Sequence, residues 1–251
     1  HDDQQIARLF VFDQALKSGQ FPVRWVNDLG FGFGYPLFVF YPPFVYMLAE
    51  VFHLLGFGFI DSIKLVFFTS IFASGIGMYV LAKEFWGRLP ATVSALFYIF
   101  VPYRAIDVYI RGALAESFSF VWLPLILWSF YKLSRPEGSR HNLSSLHERA
   151  EYSASEFKLQ NTGKSIYIYL SAIFLALLMI THNLIFLPFM LLLPFYLLFL
   201  LWKTENKKNF FVNCQLSIVN CFAISAFFWL PALAEKQFTI VDELLLVNLA
   251  N

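Results

Sequence analysis

Long apolar runs alternate along this chain with short polar connections, and the runs are too long and too uniformly oily for the core of a soluble domain. Six of them predict transmembrane helices, at 60–81, 89–100, 117–133, 166–180, 184–202 and 210–230. The first two dozen residues, HDDQQIARLFVFDQALKSGQFPVR, form the most polar part. They open on two adjacent carboxylates, Asp2 and Asp3. A short amphipathic helix follows over 6–18, with Ile6, Leu9, Phe10 and Leu16 near one face. Gly19 and Pro22 end it. This segment is expected to lie on the outer membrane surface.

The next stretch, Asp28-Leu29-Gly30-Phe31-Gly32-Phe33-Gly34-Tyr35-Pro36, has three alternating glycines. They imply close backbone packing or positive φ. No strand precedes them, which excludes a dinucleotide-binding fingerprint. After Pro42-Pro43 an apolar helix runs to about Leu55 and carries Glu50 and His53. It reaches only about 20 Å, against a hydrocarbon core of about 30 Å. A re-entrant or interfacial helix is therefore expected.

Charge sets the expected topology. With the N-terminus outside and the 43–55 helix not crossing, the inner loops are 82–88, 134–165 and 203–209. These hold Lys83 and Arg88; Arg135, Arg140, Arg149, Lys158 and Lys164; and Lys203, Lys207 and Lys208. The outer connections 101–116 and 181–183 hold only Arg104 and Arg111. The positive-inside rule favours this layout. The expected fold class is an all-α polytopic transmembrane bundle of about six spans plus interfacial or re-entrant helices. One membrane domain divides into an outer loop with two juxtamembrane helices (1–56), three spans (57–133), a cytoplasmic linker (134–165), then three spans and an outer tail (166–251). A short helix is expected near 146–157, and His141 and His147 in that linker read as solvated. No internal repeat of the kind many transporters show is visible. Because the sequence starts at His1 and stops at Asn251 in a mixed tail, it reads as an excerpt lacking a first transmembrane helix.

Composition agrees. Of 251 residues 59% are hydrophobic and 14% charged, against about 45–50% and about 25% in soluble domains. The 32 Phe, 12 Tyr and 6 Trp suit lipid-facing surface and interfacial belts. A net charge of +1 gives no case for nucleic acid. Cys214 and Cys221 share one apolar run and read as packing residues, with no metal spacing or disulfide framework.

In this topology the polar side chains gather on the outer side: Asp2, Asp3, Asp13, Arg24, the 102–116 loop, the Thr181-His182-Asn183 hairpin, and Glu235 with Lys236. Ionisable groups at membrane depth are costly and often functional. Each also has a plainer reading. One of Asp2 and Asp3 is enough to cap the first helix. Arg104 and Arg111, seven apart and on one face if their loop is helical, can snorkel to lipid phosphates or bind a phosphate specifically. Asp107 lies between them and defaults to a local salt bridge. Glu116 suits a helix N-terminus. His182 suits a hydrogen-bonded turn. The aromatic cluster of Phe31, Phe33, Tyr35, Phe38, Phe40 and Tyr41 reads as packing and interfacial anchoring.

The segments HDD, FDQALKSGQFPVRW, GFGYPLFVFYPP, PYR…D…RGALAE and THN resemble a family of bacterial polytopic membrane proteins. Some members carry the label 6-pyruvoyl-tetrahydropterin synthase-related membrane protein, although nothing here offers that soluble enzyme's zinc-binding histidine cluster. The layout also resembles the GT-C glycosyltransferase architecture, in which an acidic motif opens the first outer loop and two juxtamembrane helices follow. Asp2-Asp3 would take the acidic-motif position, and 6–18 and 43–55 the two helices.

This resemblance implies an enzyme in the bacterial cytoplasmic membrane, with its site facing outside. It would move a sugar from a polyprenyl-phosphate donor to an acceptor glycan, lipid or protein. Asp2 or Asp3 would be the catalytic base. Arg104, Asp107, Arg111, Glu116, His182 and Asn183 would bind substrate, with cations stabilising the departing phosphate. Two adjacent Asp permit a divalent metal without demanding one. The competing expectations are a lipid or glycan transporter or flippase, and a non-catalytic assembly subunit whose carboxylates only cap helices.

Overall fold

A computed structural model describes residues 2–135 and 153–239, with side chains described over 4–135 and 166–239. Among the described residues the regular structure is helical, apart from one antiparallel bridge between Val26 and Tyr35. The helices are α1 (Asp2–Lys17), α2 (Leu37–Phe40), α3 (Phe44–Leu54), α4 (Phe59–Trp86), α5 (Arg88–Ile99) and α6 (Pro102–Ala105). A wide π turn, Ile106–Ile110, extends α6. Then come α7 (Leu114–Ser134), α8 (Ser153–Thr181), α9 (Asn183–Lys203), α10 (Lys207–Ile224) and α11 (Ala226–Glu235).

Among the described residues three helices are long and apolar enough to cross a membrane: α4, α7 and α9. The number rises to five if two bent pairs each count as one span. The stretch expected at 89–100 is the short α5, bent by 40° against Pro102–Ile110. The stretch expected at 210–230 breaks at Ser225, where α10 and α11 meet at 66°. The apolar part of α8, Ile166–Thr181, is short. Hydropathy averaged along the chain does not see these bends, because an apolar residue scores alike on either side of a break.

Side-chain pairs fix the directions of the helices. Ser70 meets Ser117, and Glu84 meets Lys132, so α4 and α7 run parallel. Trp122 reaches Thr181, and Trp128 packs on Tyr167, so α8 runs antiparallel to α7. Tyr196 reaches Leu127, and Thr204 reaches Ser134, so α9 again follows α7. The bundle thus has two distinct ends. At one, Glu84 pairs with Lys132 at 2.7 Å and Arg135 at 3.9 Å. The other collects α1–α3, the 100–116 segment, the 181–183 turn and α11.

Gly77 brings α4 against α7. A Cβ there would lie 3.1 Å from the Pro124 ring and 3.3 Å from the Val121 carbonyl oxygen. Such close backbone approach is how helices associate where burial of apolar surface cannot drive them.

Several expectations change. The first helix starts at Asp2 and packs into the core rather than lying as a one-sided surface helix. Leu9, Val11, Phe12, Asp13 and Ala15 are all buried, while Phe10, expected on the apolar face, is 44% exposed and meets Phe59 edge-on. Its buried surface is met by α3 and by Phe38, with Phe12–Phe38 and Phe38–Tyr46 ring contacts of 5.1 and 5.4 Å. The expected linker is shorter than 134–165, because α8 is helical from Ser153. His141 and His147 lie outside the described residues, as does the first part of the expected 146–157 helix. The glycine turn does use positive φ at Gly30, Gly32 and Gly34. Gly34 also leaves no room for a Cβ beneath the Trp25 indole.

Candidate functional site

The polar groups converge through one contact between distant segments. Gln5 in α1 donates its side-chain amide to the Gly112 carbonyl at 3.0 Å. Tyr46 in α3 donates its hydroxyl to the Gln5 side-chain oxygen at 2.5 Å. Gln5 and Tyr46 are both buried, so each polar atom needs this partner. The contact sets the first turn of α1, which contains Asp2 and Asp3, against the segment that carries Arg111. The side chains of Asp2 and Asp3 lie outside the described residues.

Beside Gly112, Arg111 is held on several sides. It pairs with Asp107 at 3.2 Å and Glu116 at 2.8 Å, and donates to the Tyr103 hydroxyl at 3.0 Å. Tyr103 in turn donates to Glu116. The Asp107 default and the helix-terminal position of Glu116 both hold, since Glu116 sits in the first turn of α7. The hydrogen bond to Glu116 raises the Arg111 guanidinium above its usual value, so the charge is fixed.

Arg104 and Arg111 do not share a helical face. The π turn lies between them and breaks the regular helical register. Arg104 points inward and is 2% exposed. Its guanidinium donates to the Ser74 hydroxyl and to the Ser70 and Ser117 carbonyls, the last two at 3.1 Å, and lies over the Phe120 ring at 5.0 Å. These partners make Arg104 a clamp between α4 and α7. It does not face lipid phosphate.

His182 caps α9. Its Nδ1 accepts from the Ile185 backbone N–H at 3.2 Å, which assigns the neutral ring's proton to Nε2. Burial pushes the imidazole below its ordinary value, against the pull of Glu116. His182 and Asn183 line a cavity of about 260 Å³ with Phe40, Tyr41, Pro42, Ala115 and Thr181. Ala115 is the residue before Glu116, so this cavity adjoins the Arg111 cluster.

Gln5, Arg8, Tyr46 and Tyr103 take part here and are not among the residues singled out from sequence, while Tyr41 reads there only as packing and interfacial anchoring. Their signal is weak: a Gln or Tyr inside an apolar stretch reads as ordinary helix content. Asp13 and Glu50 form a second polar pair, each 3% exposed. Lys17 bonds Asp13 at 2.8 Å, while both Glu50 oxygens lack a hydrogen-bond partner. Among the described residues no group of three or more His, Cys, Asp or Glu forms a metal site.

Compared with family models, curated proteins and solved structures, the chain finds no match. The functional reading therefore rests on the residues themselves.

Proposed function

We propose that this protein is a membrane glycosyltransferase of GT-C-like architecture, with about six spans. It takes a sugar from a polyprenyl-phosphate donor and passes it to an acceptor glycan, lipid or protein. The site faces the outer side of the bacterial cytoplasmic membrane. The observation that carries this reading is the Gln5–Gly112 hydrogen bond, which sets an acidic helix turn next to the segment that carries Arg111; the His182 cavity meets that segment at Ala115.

The chemistry needs a base and a receiver for negative charge. Asp2 or Asp3 takes the acceptor's hydroxyl proton while the acceptor oxygen bonds to the anomeric carbon. The bond from that carbon to the phosphate oxygen breaks, and its electron pair leaves on the lipid phosphate. The His182 Nε2–H and the Asn183 amide are donors placed at the cavity wall to meet that charge. Arg111, neutralised by two carboxylates, holds the rim in shape.

A headgroup transporter would need polar groups continuing to the opposite end. Beyond Ser74 the α4–α7 seam closes on Gly77, Val121 and Pro124, which favours a one-sided site. The test is incubation of purified full-length protein with labelled polyprenyl-phosphate sugars. Covalent transfer to an acceptor is expected. Repeated failure across donors, together with movement of intact lipid between leaflets, would replace this reading with transport.

A further inference from the structure

Arg8 differs from its neighbours at the His182 end of the bundle. Arg111 is balanced by Asp107 and Glu116. Arg104 is fully buried, with both terminal nitrogens bonded to hydroxyl and carbonyl oxygens and only Nε left without a partner. Arg24 is tied at the surface to the Phe227 carbonyl at 3.4 Å. Arg8 is half-buried, and among the described residues no carboxylate lies within ion-pair distance of it. Its guanidinium stacks over the Tyr41 ring, 4.4 Å from the centroid. Among the described residues its hydrogen bond to the Tyr46 hydroxyl is a long one, 3.5 Å from Nη1, and the Tyr41 hydroxyl adds a weaker pull. A guanidinium has five N–H donors in a rigid fork. Most of those on Arg8 have no acceptor among the described residues.

The scaffold around Arg8 is nonetheless rigid. Tyr46 is fully buried and fixed by Gln5, and Gln5 by Gly112. Tyr41, which carries the guanidinium on its ring, is also a wall of the cavity lined by His182 and Asn183. A positioned, half-desolvated cation with spare donors, next to a cavity holding further N–H donors, suits one ligand chemistry. It matches the tetrahedral oxygens of a phosphate, which guanidinium forks bind in two-pronged fashion.

We propose that the Tyr41–His182 cavity is a phosphate-binding site with Arg8 as its cation, the role that sequence spacing had given to Arg104 and Arg111. This deepens the glycosyltransferase reading, since it names the group that receives the donor's phosphate, but binding can be measured without turnover. The phosphate can belong to a lipid or to a soluble ligand.

Full-length protein in neutral-lipid nanodiscs is titrated with polyprenyl phosphate in one arm and with inorganic phosphate in the other, and dissociation constants are read. Saturable binding is expected in at least one arm. Binding in the lipid arm alone identifies a lipid headgroup, and binding in the soluble arm alone identifies a free phosphate. Arg8→Gln is expected to weaken binding about tenfold, the scale of one charge-assisted contact, and Arg8→Lys less. Arg24→Gln should bind as the wild type does. If wild-type protein binds neither probe, or Arg8→Gln binds unchanged, or Arg24→Gln loses as much as Arg8→Gln, the site is overturned. Thermal unfolding of each variant separates lost binding from lost fold, and Arg8→Lys keeps the test open if Arg8→Gln does not fold. Phosphate binding without sugar transfer leaves this site standing while refuting the enzyme.

Discussion

Gln5 and Gly112 are 107 residues apart in sequence and share a buried hydrogen bond of 3.0 Å. Gln5 is also the acceptor for Tyr46, so one side chain joins α1, α3 and the turn before α7. Gln5→Leu removes the acceptor of the Tyr46 hydroxyl proton and one of the two donors to the Gly112 carbonyl, which keeps the Leu114 N–H at 3.0 Å. The expected cost is about 1–3 kcal/mol for the buried hydroxyl proton left unpaired. Thermal unfolding in detergent reads it. A double-mutant cycle with Tyr46→Phe should show coupling of about 0.5–3 kcal/mol; strict additivity would mean that the two residues act separately.

Asp2 and Asp3 are the proposed source of the base. Asp2→Asn and Asp3→Asn are nearly isosteric, and one of them should abolish transfer while membrane insertion and unfolding temperature stay as in wild type. Full activity in both single variants removes the acidic pair from the mechanism.

Gly77→Leu tests the seam beneath the site. The Cβ alone meets Pro124 and Leu125 side chains and the Val121 carbonyl at 3.1–3.3 Å. Forcing larger groups into a packed contact costs about 1–3 kcal/mol. The displaced helices should also loosen the Arg104 clamp, which joins the same two helices. Lower unfolding temperature, with faster exchange of the amide protons around Ser70 and Ser117, is the expected result.

Glu50 makes stability depend on pH. Burial raises its carboxyl above the ordinary value, and Asp13 adds to the shift; His53 and Lys17 oppose it. The folded state therefore holds a proton that the unfolded state gives up. Glu50's contribution is fully present below the unfolded glutamate value of about 4.3. It is lost as pH rises through the higher folded-state value, then stays constant. Glu50→Gln should flatten that decline in unfolding temperature against pH. An unchanged slope in the variant would place the titrating proton elsewhere.

The sequence carries the helical class and the gathering of polar groups, and for clear reasons. Runs such as 60–81 and 184–202 have no reading other than long apolar helices, and they are α4 and α9. His182 as a turn residue and Asp107 as the partner of Arg111 follow from local spacing, and both are observed. What depends on bending was not legible. The seven-residue spacing of Arg104 and Arg111 predicts a shared face only for a regular helix, and the π turn removes that regularity. Nor could spacing show which arginine is neutralised, because Glu116 reaches Arg111 across the Gly112 bend. Arg8 gave no signal at all. Its significance comes from Tyr41 and Tyr46, over thirty residues away.

The apolar part of α8, Ile166–Thr181, spans about 24 Å. A hydrocarbon layer of about 30 Å is thicker than that. Such a shortfall is met by local thinning of the bilayer or by drawing the helix ends inward. Either response lets water and headgroups come down to meet the Thr181–Asn183 turn. Under the proposed function, a bilayer dimpled around this helix would let a long-chain donor bring its polar head to His182 without lifting its tail out of oil.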